Sequence, residues 1–521
     1  KDLVNDANVL AVLDIVVKAL DLTLVEAVAE PLYETAIEKV VNEFGLPEAL
    51  ADTNRYGYAD LISDAKLGID AVRELVAFGA IGYYQDNTVI NFTNTEPIVN
   101  VIANLFSLEF LDEFDEELIS FAGEKLGIDF SDVDVDSINW VQDAQVFAYA
   151  YVTVATRILA DAEFPVKRYS DIRSFEFDIH DYAKERYALA GLEALDLCIN
   201  TTIFDAFGLF LLDYANNNYV PEGLRFIANE ANLTKSELRS DAHTLVDVAE
   251  IAINSGLAKL AVKKDMPLAG ISTPINSIIE KLVHLNILSR DYARLVSGVL
   301  AYLDLEVSYD ELTKVDFEGD FETIYSIVED VEAILINSKF ETVLGAYSGI
   351  KSAIQIAREF VRNKDLVNDA NVLAVLDILV KVIDLEVLTA VGTDLYPNAI
   401  QKVVNEFDLP VAITDTNRYA YADLISDAKL GIDMVRELVA FGVIGYFQDN
   451  TEINFAYTTP IENIINKLFT IKFLDEFDKE LIKFAGEQIG IDFSDVDVDS
   501  INWQLDAAVF AEAYVTVATR I

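Results

Sequence analysis

The sequence contains two nearly identical copies of one long segment. The stretch KDLVNDANVLAVLDIVVK, which begins at Lys1, returns as KDLVNDANVLAVLDILVK at Lys364, and this shift of 363 residues holds without a gap to Ile521. About three quarters of the positions in 1–158 are identical to those in 364–521. Because two copies of one sequence adopt one fold, the chain must accommodate a repeated unit rather than a single large core.

A weaker repeat lies inside the first one, at a shift of about 177 residues. The segment TEPIVNVIANLFSLEFL, which ends at Leu111, matches STPINSIIEKLVHLNIL, which ends at Leu288. We therefore predict that two diverged modules of about 177–186 residues make each 363-residue repeat, and that the chain is an excerpt of a longer tandem array. The predicted domains are module A (1–165), module B (166–350) and module A′ (351–521), with a linker in the stretch 162–174.

The hydrophobic pattern within a module is helical. Pro274 and Pro460 fit the first turn of a helix, with the preceding threonines as N-caps. Apolar residues then recur at spacings of three and four, at Ile275, Ile278, Ile279, Leu282 and Leu285. Gly79 and its equivalents, Gly256 and Gly442, fit the left-handed residue that ends a helix, and only 82–93 alternates like a short hairpin. The predicted fold class is all-α, a tandem array of helical-bundle modules.

The composition excludes several classes of protein. Hydrophobic residues make up 52% of the chain, which is too many for a disordered protein. Lys and Arg number 38 against 89 Asp and Glu, a net charge of −51 that disfavours nucleic acids and anionic membrane surfaces and requires counter-cations. No apolar run is as long as a membrane-spanning helix, so we expect no membrane insertion. A single cysteine, Cys198, rules out an intrachain disulfide framework.

The sequence offers little catalytic chemistry. The three histidines, His180, His243 and His284, all lie in module B, so a function shared by all modules does not use histidine. Cys198 together with His180 would be the one nucleophile–base pair, but a small core cysteine is the more common role. The usual nucleotide-binding and metalloprotease motifs are absent from the sequence. We therefore predict no catalytic residues, no cofactor-binding residues and no enzymatic activity.

One acidic string resembles a metal site. DVDVDSINWVQD, from Asp132 to Asp143, places carboxylates at loop positions 1, 3, 5 and 12, as in part of a calcium loop. The candidate ligands, in both copies of the string, are Asp132, Asp134, Asp136, Asp143, Asp495, Asp497, Asp499 and Asp506. Against calcium, position 6 is Ser137 rather than glycine. We favour helix capping over calcium, because it explains both this string and its module B equivalent, with Asn139 and Asp316 as N-caps.

These observations favour a structural protein. Long, nearly identical repeats without a catalytic constellation are typical of a fibre, stalk or layer, and we expect an extracellular or cell-surface location and self-association into a homopolymer or filament. Apolar surface left on each module would provide the contacts. The alternative is an α-helical scaffold that binds protein or peptide partners in grooves between its helices.

Overall fold

The chain is described by a computed structural model that covers residues 4–174, 185–220, 225, 233–493 and 495–520. Throughout these residues the regular secondary structure is helical, apart from one isolated antiparallel bridge between Pro267 and Thr342. The predicted all-α fold class is therefore confirmed.

The helices of the first part of the chain are α1 (Asp6–Leu20), α2 (Thr23–Ala29), α3 (Tyr33–Phe44), α4 (Tyr58–Ala77), α5 (Ala80–Asp86), α6 (Glu96–Phe106), α7 (Glu109–Glu113), α8 (Asp115–Leu126), α9 (Trp140–Val154), α10 (Tyr169–Ser174), α11 (Glu185–Ile199), α12 (Thr202–Tyr219) and α13 (Lys235–Asn254). Those of the second part are α14 (Ala258–Ala261), α15 (Ser272–Val283), α16 (Asn286–Ser289), α17 (Tyr292–Tyr302), α18 (Tyr309–Leu312), α19 (Phe317–Asn337), α20 (Val343–Gln355), α21 (Ala357–Arg362), α22 (Asp369–Ile383), α23 (Glu386–Glu406), α24 (Tyr421–Ala440), α25 (Val443–Asp449), α26 (Thr459–Leu468), α27 (Lys472–Glu476), α28 (Asp478–Ile489) and α29 (Trp503–Arg520).

The chain forms two compact units. The first comprises Lys1–Glu222, Ile227–Asn254 and His284–Ile287, and the second comprises Gly223–Phe226, Ser255–Val283 and Leu288–Ile521. This division by contacts differs from the division by sequence repeats, because it falls inside predicted module B. The three module boundaries remain a prediction, and the names A, B and A′ are kept below for the segments of sequence.

Within each unit the long helices contact one another in chain order. In the first unit, α1 contacts α4, α4 contacts α6, α6 contacts α9, α9 contacts α11 and α11 contacts α13. In the second unit, the same succession runs from α15 to α19, α22, α24, α26 and α29. As a result, α9 of module A packs against α11 of module B, and α19 of module B packs against α22 of module A′.

The two copies of the long repeat build the same core. Phe114 is fully buried in the first unit, and its equivalent Phe477 is fully buried in the second. Each is packed by four equivalent buried side chains: Tyr33, Val41, Leu50 and Tyr56 in module A, and Tyr396, Val404, Ile413 and Tyr419 in module A′. The guanidinium of Arg55 lies 4.7 Å from the ring centroid of Phe114, and that of Arg418 lies 4.5 Å from Phe477. Each ring is thus covered on one side by a cation.

Local signals for helix ends are mostly confirmed. Gly79 is left-handed, with φ of 95°, and so are its equivalents Gly256 and Gly442. Asn139 is the N-cap of α9, where its side chain accepts a hydrogen bond from the amide of Gln142, and Asp316 caps α19 in the same way. At Pro274 and Pro460 the helices begin at Ser272 and Thr459, two residues and one residue earlier than predicted, so Thr273 and Thr459 lie within the helices and are not their N-caps.

The hairpin predicted over 82–93 is wrong. The helix α5 occupies Ala80–Asp86 and ends at left-handed Asn87, after which 88–91 have no regular structure. Left-handed Gly79 breaks the chain direction after α4 and allows a new helix to begin at once. Tyr83 is buried on this short helix, where its ring contacts that of Tyr169. The alternating pattern over 82–93 is therefore divided between a short helix and the irregular segment that follows it.

The stretch predicted as a linker is partly ordered by its neighbours. Residues 169–174 form α10, and the amide of Ser170 donates a hydrogen bond of 2.8 Å to the side-chain oxygen of Asn87. Among the described residues, no single helix is both long enough and apolar enough to cross a membrane. The pair α11 and α12, bent by 96° at its break, reaches the required length and composition only when the two helices are taken together.

Candidate functional site

Asp143 is a fully buried carboxylate that fastens two helices together. It lies in the first turn of α9, and Oδ1 accepts a hydrogen bond of 2.8 Å from the amide of Thr202. Its Oδ2 accepts bonds of 2.8 Å from Thr202 Oγ1 and 2.9 Å from the amide of Ile203. These two amides begin α12 and have no partner within that helix, so the carboxylate both satisfies them and opposes the positive end of the helix dipole. We call this contact between α9 and α11–α12 the first junction.

Asp320 makes the equivalent contact in the second unit. This residue of α19 is 4% exposed, and its two oxygens accept hydrogen bonds of 2.7 and 2.8 Å from the amides of Glu386 and Val387. Those amides begin α23, just as Thr202 and Ile203 begin α12. We call this contact between α19 and α22–α23 the second junction. Two diverged sequences thus use the same buried carboxylate for the same purpose.

Each junction also contains a hydrogen bond in the opposite direction, in which the amide belongs to the N-cap of α9 or α19 and the acceptor oxygen belongs to the first residue of α12 or α23. The amide of Asn139, the N-cap of α9, donates a bond of 2.7 Å to Thr202 Oγ1. The amide of Asp316, the N-cap of α19, donates a bond of 2.8 Å to Glu386 Oε2. The N-terminus of α9 or α19 and the N-terminus of a helix in the next module therefore cap each other. Such reciprocal capping fixes the register of the contact as well as its strength.

Apolar side chains surround the first junction. Val133, Val135, Ile138 and Ala206 form a buried cluster there. Phe130, which follows α8, packs edge to face against Phe207 and Phe210 of α12, with ring centroids 5.6 and 5.3 Å apart. The polar contact is therefore made inside an apolar interface, where an unsatisfied amide would be costly.

A second set of aspartates, buried at Asp64 and Asp241 and partly buried at Asp427, caps helices within the modules. The carboxylate of Asp64 accepts hydrogen bonds of 2.9 Å from the amides of Glu109 and Phe110, at the start of α7. Its equivalents Asp241 and Asp427 make the same pair of bonds to later helices, and Tyr56 Oη adds a bond of 2.9 Å to Asp64. Burial and the neighbouring carboxylate raise the pKa of Tyr56. Helix capping at a distance is thus a general device of this chain.

The eight candidate calcium ligands differ in their exposure and in their bonding partners. Asp143 is committed to the first junction, whereas Asp132, Asp134 and Asp136 are exposed. Asp134 lies 3.3 Å from the ammonium of Lys235, and Asp499 is paired with Lys479. Asp495 and Asp497 are exposed, and Asp506 is partly exposed. Among the described residues, no group of three or more His, Cys, Asp or Glu is placed to hold a metal ion. Calcium binding remains a prediction.

The other reactive groups have structural surroundings. Cys198 is half-buried, and burial raises the pKa of its thiol. His180 lies outside the described residues, and Nδ1 of His243 is 2.5 Å from the carboxylate of Asp196. Asp115 belongs to the acidic cluster at the start of α8. Burial raises the pKa of its carboxyl, which accepts a hydrogen bond of 3.1 Å from Trp140 Nε1.

An apolar cavity of about 570 Å³ lies beside the first junction. Its walls come from α9, α11, α12 and α13, and include Phe147, Phe204, Phe207, Leu211, Leu238 and Leu245. Leu211 and Leu245 are about half exposed, so the cavity is open to solvent.

Sequence reasoning missed the role of Asp143, although a signal was present. The aspartate at this position is retained in all three modules, as Asp143, Asp320 and Asp506, while Asp132 and Asp136 are replaced by Tyr309 and Thr313 in module B. An aspartate that is retained while the rest of its local string changes indicates a partner outside that string.

Comparisons of this chain with protein-family models, curated proteins and solved structures find no match.

The charge of the chain gives a prediction for added cations. The ion pairs of the described residues are mostly exposed and contribute little, whereas a net charge of −51 repels itself. We expect sodium chloride to raise the melting temperature, and magnesium and calcium to raise it further. If calcium binds the acidic string, it must exceed magnesium in scanning calorimetry, and Asp134→Ala must remove that excess while Asp112→Ala retains it. Equal rises of the melting temperature with calcium and magnesium would show that screening accounts for the whole effect.

Proposed function

We propose that this chain is a structural protein, a tandem array of acidic helical modules that forms part of an extracellular or cell-surface fibre, stalk or layer. The observation that carries the proposal is the recurrence of one junction between diverged segments. Asp143 and Asp320 lie in different compact units, yet each caps the start of a helix in the module that follows, α12 in module B and α23 in module A′. A contact that is retained while its surroundings diverge has a purpose common to both places, and here that purpose is to join one module to the next.

Near-identity of the end modules supports the same proposal. Modules A and A′ share buried cores residue by residue, and their reactive groups serve capping and packing. A repeated unit with a recurring junction suits a protein that extends along a fibre or stalk or covers a surface as a layer.

The test is to examine the protein at its native length and location. We expect surface proteolysis and immunogold labelling to place it outside the cell, and electron micrographs of native material to show fibres or a layer with a regular repeat. Native material that is monomeric in solution, lies inside the cell and forms no assemblies in micrographs would overturn the proposal.

The second candidate function is a scaffold that binds an apolar segment of a partner, and the cavity beside the first junction favours it. Its lining is almost wholly apolar and wide enough for several side chains. In that case Leu211→Asp together with Leu245→Asp would abolish partner binding and leave the assembly state of the chain unchanged.

A further inference from the structure

We propose that the apolar cavity beside the first junction binds an uncharged aromatic small molecule of about two rings. The proposal goes beyond the structural function, and it places a small molecule in the cavity rather than the partner segment of the second candidate function. The lining residues all belong to the first unit, with Phe147 of α9 from module A and the others from module B. A ligand there would therefore contact both sides of the first junction.

Modules A and A′ hold a pair of tyrosines at the equivalent place. The ring centroids of Tyr33 and Tyr58 are 6.1 Å apart, and those of Tyr396 and Tyr421 are 6.0 Å apart. In module A′ the ring of Tyr421 also covers Gly392 of α23 so closely that a Cβ atom at this glycine would collide with it. The aromatic pair therefore fills the space between α23 and α24.

Module B has neither tyrosine. When α12 and α23 are aligned from their first residues, Leu212 stands at the position of Tyr396. Lys235, at the start of α13, stands at the position of Tyr421 at the start of α24. Leu212 lines the cavity, whereas the ammonium of Lys235 lies 3.3 Å from the carboxylate of Asp134. The cavity therefore corresponds to the space that two aromatic rings occupy in the other modules.

The wall of the cavity favours an aromatic ligand without charge. Phe147, Phe204 and Phe207 supply three rings, against which an aromatic ligand can stack or pack edge to face. Asp241, the acidic residue of the wall, already accepts hydrogen bonds of 2.7 and 2.9 Å from the first two amides of α16. A charged group on the ligand would lose its hydration without gaining a partner, and an anion would also be repelled by the net charge of −51.

Cys198 provides a chemical reporter for the cavity. It is the only cysteine of the chain, it is half-buried, and it lines the cavity. With naphthalene present at ten times its dissociation constant, we expect alkylation of Cys198 by N-ethylmaleimide to slow by about tenfold, because the bound ligand covers the thiol. Naphthalenesulfonate at the same concentration is the control ligand, and it should leave the rate of alkylation unchanged.

Restoring the tyrosine pair should close the site and keep the fold. Calorimetric titration with naphthalene should show one site per chain, and Leu212→Tyr combined with Lys235→Tyr should weaken binding by at least about tenfold. This double variant should keep or raise the melting temperature, because it fills a cavity with a pair that the chain already holds in two other modules. The matched control is Leu195→Tyr combined with Lys125→Tyr, which adds tyrosines at exposed positions outside the cavity and should leave binding unchanged.

A second variant keeps the test decisive if the double variant does not fold. Leu245 is 49% exposed at the mouth of the cavity, and Leu245→Trp should narrow the mouth and also weaken binding. Naphthalene that shows no saturable site, or that leaves alkylation of Cys198 unchanged, overturns the proposal and leaves the cavity to a partner segment. Full affinity in the folded variants also overturns it, because the probe then binds elsewhere on the chain. None of these results depends on fibres in native material, so this proposal and the structural function fail separately.

Discussion

Replacing Asp143 by alanine should destabilise the first unit by about 2–4 kcal/mol. The substitution leaves the amides of Thr202 and Ile203 without their acceptor inside an apolar interface, and it removes the charge that opposes the dipole of α12. The two tryptophans provide a readout for each unit, because Trp140 lies in the first and Trp503 in the second. Urea unfolding in a Trp503→Phe background would report the first unit alone.

The chain contains its own control for this prediction. Asp506 occupies the same position in a nearly identical helix but is partly exposed, so Asp506→Ala in a Trp140→Phe background should change the unfolding of dilute protein by less than about 0.5 kcal/mol. Hydrogen exchange gives a local check, since Asp143→Ala should accelerate exchange at the start of α12 and spare the start of α23. Equal losses of stability for Asp143→Ala and Asp506→Ala would show that the carboxylate acts within its own helix, and the junction argument would then fail.

The parts of this fold that could be predicted from sequence are those set by neighbouring residues. Asn139 and Asp316 were identified as N-caps because a capping side chain lies three residues from the amide that it bonds. Gly79 was identified because few residues other than glycine adopt φ of 95° without strain. The helical class followed from apolar spacing repeated over whole modules.

The junctions could not be predicted in the same way. Asp143 is separated from Thr202 by 59 residues, and no local pattern indicates which helix start it caps. Its place in an alternating acidic string made it a candidate calcium ligand beside the capping interpretation, because Asp132, Asp134 and Asp136 have the spacing of ligands whether or not they converge. The error over 82–93 has the opposite origin, since a short helix of seven residues is too brief to show its period.

Because the modules repeat, a buried carboxylate at a junction affects more than the module that contains it. In a single domain, a buried carboxylate at a helix start stabilises that domain only. Here the same group couples one module to the next, so the stability of each module depends on its neighbour, as in other repeat proteins. Modules in the interior of an array should therefore be more stable than those at its ends.

The largest loss of stability should come from the core phenylalanines. Phe114→Ala should destabilise the first unit by about 3–5 kcal/mol, and Phe477→Ala should destabilise the second unit by a similar amount. Both rings are fully buried, packed among two equivalent sets of side chains, and covered by the guanidinium of an arginine. Each substitution opens a cavity that the rigid surroundings cannot fill, and it also removes the surface on which the arginine rests.

The matched controls are Phe44→Ala and Phe407→Ala, which remove equivalent phenylalanines that are 69% and 63% exposed in the same two modules. These should change stability by no more than about 0.5 kcal/mol. Urea unfolding in the two single-tryptophan backgrounds separates the units, so Phe114→Ala should shift the transition reported by Trp140 and leave that of Trp503 in place. A shift of both transitions by either core variant would mean that the two units unfold together. The free energy of unfolding of each unit would then depend on the other unit. The proposed dependence of each module on its neighbour would extend across the whole protein.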